Sequence, residues 1–266
     1  LTQEIILTPK NISTKVPVEA EVISPDTFAG KTMEQILSLT MYRGNRQIKV
    51  KEVFDVKGAK ADKPEDIRIV LQGDVPTVKR IGEGMTAGEI TIKGNVGMHL
   101  GSNMKGGKIT VQGNAGDWAG ALMRGGEINI KGNAGSYLGA SYRGEWRGTS
   151  GGTILVEGNA GNEIGSWMAN GKIVVKGSVG PMAGIHMKGG VIVIHRDAAP
   201  RAGGEMTKGK IIILGKIAEV LPSFKSEGQV PSTKIGEEGG EEILGPFNKF
   251  TGDLADSGKG EVYVKT

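Results

Sequence analysis

Cysteine is absent from this 266-residue chain, which excludes disulfides and thiolate-ligated zinc or iron–sulfur centres within it. Aromatic residues make up only 5%, so a core must be built from Ile, Val, Ala and Met. No apolar run approaches the roughly 20 residues that a membrane-spanning helix needs. The opening Leu1-Thr2-Gln3-Glu4 has neither the basic start nor the apolar stretch of a secretion signal. A one-sided excess of charge is missing too. Thirty-three basic and 29 acidic residues give +4 and are interleaved, without the basic stripe of a nucleic-acid binder. These absences predict a cytoplasmic chain with no membrane and no nucleic-acid partner.

Glycine is what the chain has in excess: 45 residues, against an average near 7%. They are spaced, not clustered. A unit of the form Gly-x-Ile-x-Val-x-Gly-Asn-Ala-Gly-x-x-x-Gly-x-x-Met-x-Gly starts at Gly88, Gly107, Gly126, Gly152, Gly171 and Gly190, and Gly209 opens a shorter last strand. Every step is nineteen residues except Gly126 to Gly152, which is twenty-six, so one turn carries a seven-residue insertion. A fixed short period means one supersecondary unit stacked on copies of itself.

Counting slots from the first glycine of each unit, slots three and five hold Ile109 and Val111, Ile128 and Ile130, and Ile173 and Val175. Alternating β-branched residues bounded by glycine are a strand signal. Nineteen residues are too few for a propeller blade or a helix pair, and the leucine-rich frame is missing. The expected fold is all-β: a single-stranded right-handed parallel β-solenoid of about six to seven turns with a small α/β N-terminal flank. Six turns at the ~4.8 Å strand spacing make a rod ~30 Å long.

The slot pattern assigns further roles. Asn95, Asn114, Asn133 and Asn159 follow a corner glycine and are placed to form a stacked amide ladder. Met104, Met123, Met168, Met187 and Met206 share slot seventeen as a core column, with Tyr142 replacing Met in the turn that carries the insertion. Residues 1–64 read as an N-terminal α/β cap and 65–215 as the solenoid. Residues 216–266 read as a loop-rich tail with a final strand at Val262-Tyr263-Val264, and Gly236 to Glu242 as a surface loop within it.

No catalytic, cofactor-binding or metal site emerges from the residues. His99, His186 and His195 fall in slots twelve, sixteen and six of different turns, too scattered for one metal. Gly101 to Lys108 comes near a phosphate loop but lacks its Gly-Lys-Ser/Thr ending. Surface features carry more. Arg143, Trp146 and Arg147 stand in the insertion, and Trp and Arg are the residues most enriched at interface hot spots. Leu155, Val174, Val193 and Ile212 form an apolar stripe at outward slot four, which needs cover from the tail or from another protein. These seven are the candidate interface residues. His99, Trp118 and Tyr137 align in slot twelve as an aromatic strip, expected to lie partly under the N-terminal cap.

The Gly-Asn-Ala-Gly-x-x-x-Gly corners, the insertion and the ending Phe250-Thr251-Gly252-Asp253-Leu254-Ala255-Asp256-Ser257-Gly258-Lys259-Gly260 together resemble the C subunit of formylmethanofuran dehydrogenase. The wider group includes the C-terminal glycine-repeat domain of the glutamate synthase large subunit. The resemblance implies a hetero-oligomeric, cytoplasmic complex that reduces CO2 and couples it to methanofuran, giving N-formylmethanofuran in methanogenesis. It implies partner subunits that hold the cofactors: a tungsto- or molybdopterin subunit, an amidohydrolase with a binuclear metal site, and polyferredoxin chains with iron–sulfur clusters. The C subunit is then a non-catalytic organising piece. A similar subunit in a non-redox formyltransferase/hydrolase complex, or a free-standing glycine-repeat domain, is the alternative.

Overall fold

Slots three and five point inward from every rung, and the strands they build are stacked in register. A computed structural model describes residues 2–10, 12, 15–236 and 240–266. In chain order its strands and helices are β1 (Gln3–Pro9), β2 (Val18–Glu19), α1 (Pro25–Phe28), α2 (Met33–Leu37), β3 (Thr40–Arg43), β4 (Arg46–Lys49) and β5 (Phe54–Gly58). The coil follows with β6 (Ile67–Leu71), β7 (Val78–Lys79), β8 (Glu89–Ile92), β9 (Lys108–Val111), β10 (Glu127–Ile130), β11 (Ser150–Val156), β12 (Asn170–Val175), β13 (Lys188–Ile194) and β14 (Lys208–Ile213). Last come β15 (Lys225–Lys234), β16 (Glu242–Gly252) and β17 (Gly260–Lys265).

From β6 through β14, leaving out β7, each strand pairs in parallel with the next turn: Ile90 opposes Ile109, Ile109 opposes Ile128, and Ile173 opposes Ile192. A second wall runs alongside as single parallel bridges linking Val75, Val96, Ala115, Ala134, Ala160, Val179, Ala198 and Ile217. The slot-three and slot-five side chains between these walls are almost fully buried. Burying each is worth roughly 1.5–3 kcal/mol, so stacking, not any one turn, holds the coil.

The corner after each strand is stitched by side chains. Asn95, Asn114 and Asn133 each accept, through the side-chain oxygen, a hydrogen bond of 2.7–2.8 Å from the backbone N–H one turn on, at Asn114, Asn133 and Asn159. Asp74 begins this ladder, and Ser178 and Asp197 finish it. The expected ladder exists, but it runs from side chain to backbone: an N–H at a tight corner has no sheet partner, and the asparagine below supplies one.

Slot seventeen departs from the expectation. The Met column is fully buried and extends down to Met85, but its missing member is Thr149, not Tyr142. Thr149 makes the turn hydrogen bond of that slot, from its N–H to Gly139 at 3.0 Å, matching Met104 to Gly101. The seven extra residues therefore loop out between Ser141 and Thr149, and Tyr142 is the first of them.

Both flanks join the main sheet. β1 lies parallel to β6, with Ile5 opposite Ile69 and Leu7 opposite Leu71, although sixty residues or more separate the pairs. β5 then caps β1 in antiparallel fashion. The region expected as an N-terminal α/β cap also supplies a rung through β1, while β2, β3, β4 and β7 form a small second sheet. The short helix α2 is opened by a capping box of Thr32 and Gln35. β4 and β5 are separated by a 3-10 turn at Val50–Glu52.

The tail also differs from expectation. β17 continues the coil on β14, with Val262 opposite Ile211, and β16 and β15 follow as antiparallel strands. Gly, Pro, Ser and Glu make the tail read as loop, yet Val230, Ile243 and Phe247 alternate with those residues and pack on Val193, Ile212 and Tyr263. Residues 237–239 of the expected surface loop lie outside the described residues. The outermost strand β15 carries Pro231 and two register shifts, devices that discourage further edge pairing.

Candidate functional site

All three tryptophans of this aromatic-poor chain gather around the insertion, on the corner side of the coil. Slot twelve explains half of the arrangement. Arg80, His99, Trp118, Tyr137, Glu163, Met182 and Arg201 occupy it in successive turns, all with φ between 54° and 69°. Non-glycine residues rarely adopt that left-handed region. Here inter-rung hydrogen bonds compel it: His99 N–H to Asp117, Trp118 N–H to Ser136 and Tyr137 N–H to Asn162, at 2.8–2.9 Å. Identical backbone geometry at each rung projects the side chains in parallel. Trp118 and Tyr137 consequently stack at 4.2 Å with planes 10° apart, and His99 continues the stack at 6.3 Å.

Slot sixteen builds a second column by the same means. Trp167 and His186, at φ 59° and 56°, stack at 4.3 Å, and His186 Nδ1 lies 3.1 Å from Glu205. Trp167 does not stand out in the sequence because its slot holds Asn, Leu, His and Glu in other turns. The shared period is the signal that could find it, once the outward direction of the slot is known.

The insertion bridges the columns. Tyr142 tilts against Trp118 at 5.1 Å, and its hydroxyl lies 2.9 Å from His99 Nδ1 and 3.0 Å from Ser102 Oγ. The strip is thus covered by Tyr142 of the insertion. Trp146 is 56% exposed, with Arg147 over one face at 4.7 Å and the Lys188 ammonium 5.1 Å from its centroid. Lys188 also sits 4.7 Å from Trp167, tying the loop to the next rungs through cation–π contacts. Between insertion and wall lies a cleft of about 340 Å³ lined by Trp118, Tyr137, Tyr142, Arg143, Trp146 and Trp167 among others.

The structure therefore brings Arg143, Trp146 and Arg147 together in one surface. It treats the apolar stripe differently. Val193 and Ile212 are 1% and 0% exposed because the β15–β16 hairpin lies over them, so these two leave the set of surface candidates. Val174 is half-buried at the hairpin's margin, and Leu155 is half-buried one rung further on.

His99 gives this surface a pH dependence. Burial, reinforced by the cations Arg80 and Lys79 and opposed by Glu19 and Asp117, holds its pKa below the ordinary imidazole value. Neutral His99 can accept from Tyr142, which in turn accepts from Ser102. Because the unfolded chain binds this proton more readily, the contribution is complete above about pH 6.5 and is lost as pH falls toward the lowered value. The melting temperature of wild type is expected to drop more between pH 7.5 and 5.5 than that of His99→Asn. His195, shifted the same way by burial and Lys176, contributes equally to both proteins.

Among the described residues no group of three or more His, Cys, Asp or Glu could hold a metal ion. With no cysteine, the chain has no thiolate to ligate an iron–sulfur cluster or a pterin-bound metal. No helix among the described residues is long and apolar enough to cross a membrane.

No family model matches the chain. Comparison with individual proteins is decisive instead. The chain is 65% identical over 262 residues to the C subunit of tungsten-containing formylmethanofuran dehydrogenase 2 from Methanothermobacter thermautotrophicus, covering 98% of this chain and 96% of that one. It is 60% identical over 265 residues to the subunit of the same description from Methanococcus maripaludis strain S2, with the same coverage. Among solved structures, it resembles a chain from the formyltransferase/hydrolase complex of Methylorubrum extorquens, determined with methylofuran, at a TM-score of 0.85 and 26% identity over 98% of this chain and 99% of that one. The repeated corners, the coil they build and the identity along nearly the whole length agree: the chain belongs to the family of formylmethanofuran dehydrogenase C subunits.

Proposed function

We propose that this chain is the organising subunit of a formylmethanofuran dehydrogenase complex, the assembly that reduces CO2 and couples it to methanofuran. It holds a pterin-binding subunit, an amidohydrolase subunit and polyferredoxin chains in fixed relation and makes no bonds itself. The full-length identity to the dehydrogenase relatives supports the redox complex over the formyltransferase/hydrolase alternative, whose resembling chain is only 26% identical.

The observation that carries the docking role is the exposed Trp146, braced by Arg147 and Lys188 on an otherwise regular wall. A large rigid aromatic held in place before binding loses little freedom on contact, which suits it to anchor a partner. Arg143 lines the adjoining cleft, and the half-buried Leu155 and Val174 offer a second, apolar contact on the outer sheet face. Trp146→Ala is expected to weaken retention of one partner by about thirtyfold or more, in line with the ~2 kcal/mol typical of hot spots. Co-purification from cells carrying the tagged variant reads the effect. Unchanged recovery of every subunit would remove Trp146 from the interface.

A further inference from the structure

Past Lys188, on the side away from the insertion, β12, β13, β14 and β17 begin in a groove of about 610 Å³. Its floor is largely glycine. Gly171, Gly190 and Gly209 hold slot one in three successive rungs and line it together with Ala169, Asn170 and Val191. Its walls are lysine: Lys188, Lys208, Lys210 and Lys259, against Glu261 as the one acid lining the groove among the described residues.

That carboxylate is already engaged, since Glu261 pairs with Lys249 and lies 3.9 Å from Lys210. Lys188 rests over two indole rings, which stabilise its charge without neutralising it. Among the described residues no carboxylate lies within 4.0 Å of the ammonium groups of Lys188, Lys208 or Lys259. Past Trp146, Arg147 and Arg124 line the neighbouring hollow together with one acid, Glu145. Along the sequence these cations are scattered and interleaved with acids; only the coil aligns them.

We propose that this groove docks an extended acidic segment of a neighbouring subunit of the same complex, its carboxylates taking Lys188, Lys208 and Lys259. Four rungs at the ~4.8 Å strand spacing span ~14 Å, the length of about four extended residues. One small anion would neutralise one end of that row and leave the rest unmatched; a run of carboxylates matches all of it. A lining made largely of glycine and small side chains leaves room for the segment to lie along the rungs. This inference rests on the reading of the chain as an assembly subunit.

The intact complex, treated with a carbodiimide that joins lysine amines directly to carboxylates, provides the test. Mass spectrometry is expected to find Lys188, Lys208 and Lys259 linked to Asp or Glu within a single stretch of one other subunit. The triple variant K188Q/K208Q/K259Q should release that subunit with about tenfold weaker retention at moderate salt, three exposed pairs at ~0.2–1 kcal/mol each. Links confined to this chain's own carboxylates, or no links from these lysines, would overturn the proposal. So would a triple variant that retains every subunit as wild type does. Were that variant unchanged while Trp146→Ala still weakened assembly, the groove would lose its role and the organising function would stand. Were both unchanged, the groove proposal would fall and the docking surface would lie elsewhere on the coil.

Discussion

Deletion of residues 142–148 is expected to leave a folded solenoid that no longer holds its partners. The seven residues leave the wall at Ser141 and return at Thr149, and both ends keep the hydrogen bonds of a regular turn. Ser141 N–H reaches Ser166 at 3.1 Å, as Leu122 N–H reaches Ala140, while Thr149 N–H closes on Gly139. Joining them restores the nineteen-residue step of every other turn. What disappears is Trp146 with its flanking arginines and the Tyr142 hydroxyl that binds His99 and Ser102. The stability cost is expected near ~1–2 kcal/mol, since the lost contacts are a few part-exposed hydrogen bonds and ring contacts. Binding is expected to fall by far more. Circular dichroism and melting of the deleted chain, beside its recovery in the purified complex, separate the two effects. An unfolded product would show that the insertion is structural, and an intact complex would show that docking occurs elsewhere.

Gly106→Val is expected to do the opposite, destroying the coil while touching no docking residue. A Cβ at Gly106 would stand 2.2 Å from the Thr86 carbonyl oxygen of the rung below and 3.2 Å from its carbon. Both are backbone atoms, so no side chain can swing aside. Relief requires separating two rungs, at the expense of the hydrogen bonds from Lys105 N–H to Met85 and from Lys108 N–H to Gly88. A loss of at least about 3 kcal/mol follows. Gly84→Ala is the informative contrast. Gly84 has φ +67° with nothing within 4 Å of a Cβ, and the same slot holds Asn103 and Leu122 in later turns. Its replacement is expected to cost about 1 kcal/mol. Chemical denaturation of both variants checks the ranking, and equal midpoints would refute the close-approach argument.

Much of the architecture is legible in the sequence because the period and the β-branched slots repeat so often. Ile109-x-Val111 and its copies leave little besides a stacked parallel strand. Legibility ends where a residue has no neighbouring copy to be compared with. Ile5-x-Leu7 carries the slot-three and slot-five pattern, but sixty residues separate it from the rung it joins. Counting forward from Gly126 puts Tyr142 in the core column; counting back from Gly152 reaches Thr149. The docking surface is half visible. Trp146 and its arginines stand out in an insertion, whereas Trp167 meets them only because a left-handed corner aims slot sixteen outward, and Lys188 reaches them from slot eighteen of the next turn, which no residue name discloses. The lysine groove is hidden for a related reason: charge interleaved along a chain becomes segregated once a coil sorts residues by slot.

Antiparallel strands close both ends of the ladder, β5 at one and the β16–β15 hairpin at the other, so the number of rungs is set and the rod cannot grow. If partner subunits seat on different rungs, as proposed, their spacing is counted in steps of ~4.8 Å. Such a rod acts as a ruler. Adding or removing one nineteen-residue unit would shift everything beyond it by a single graduation, and a pathway for electrons or intermediates spanning the assembly would inherit that step.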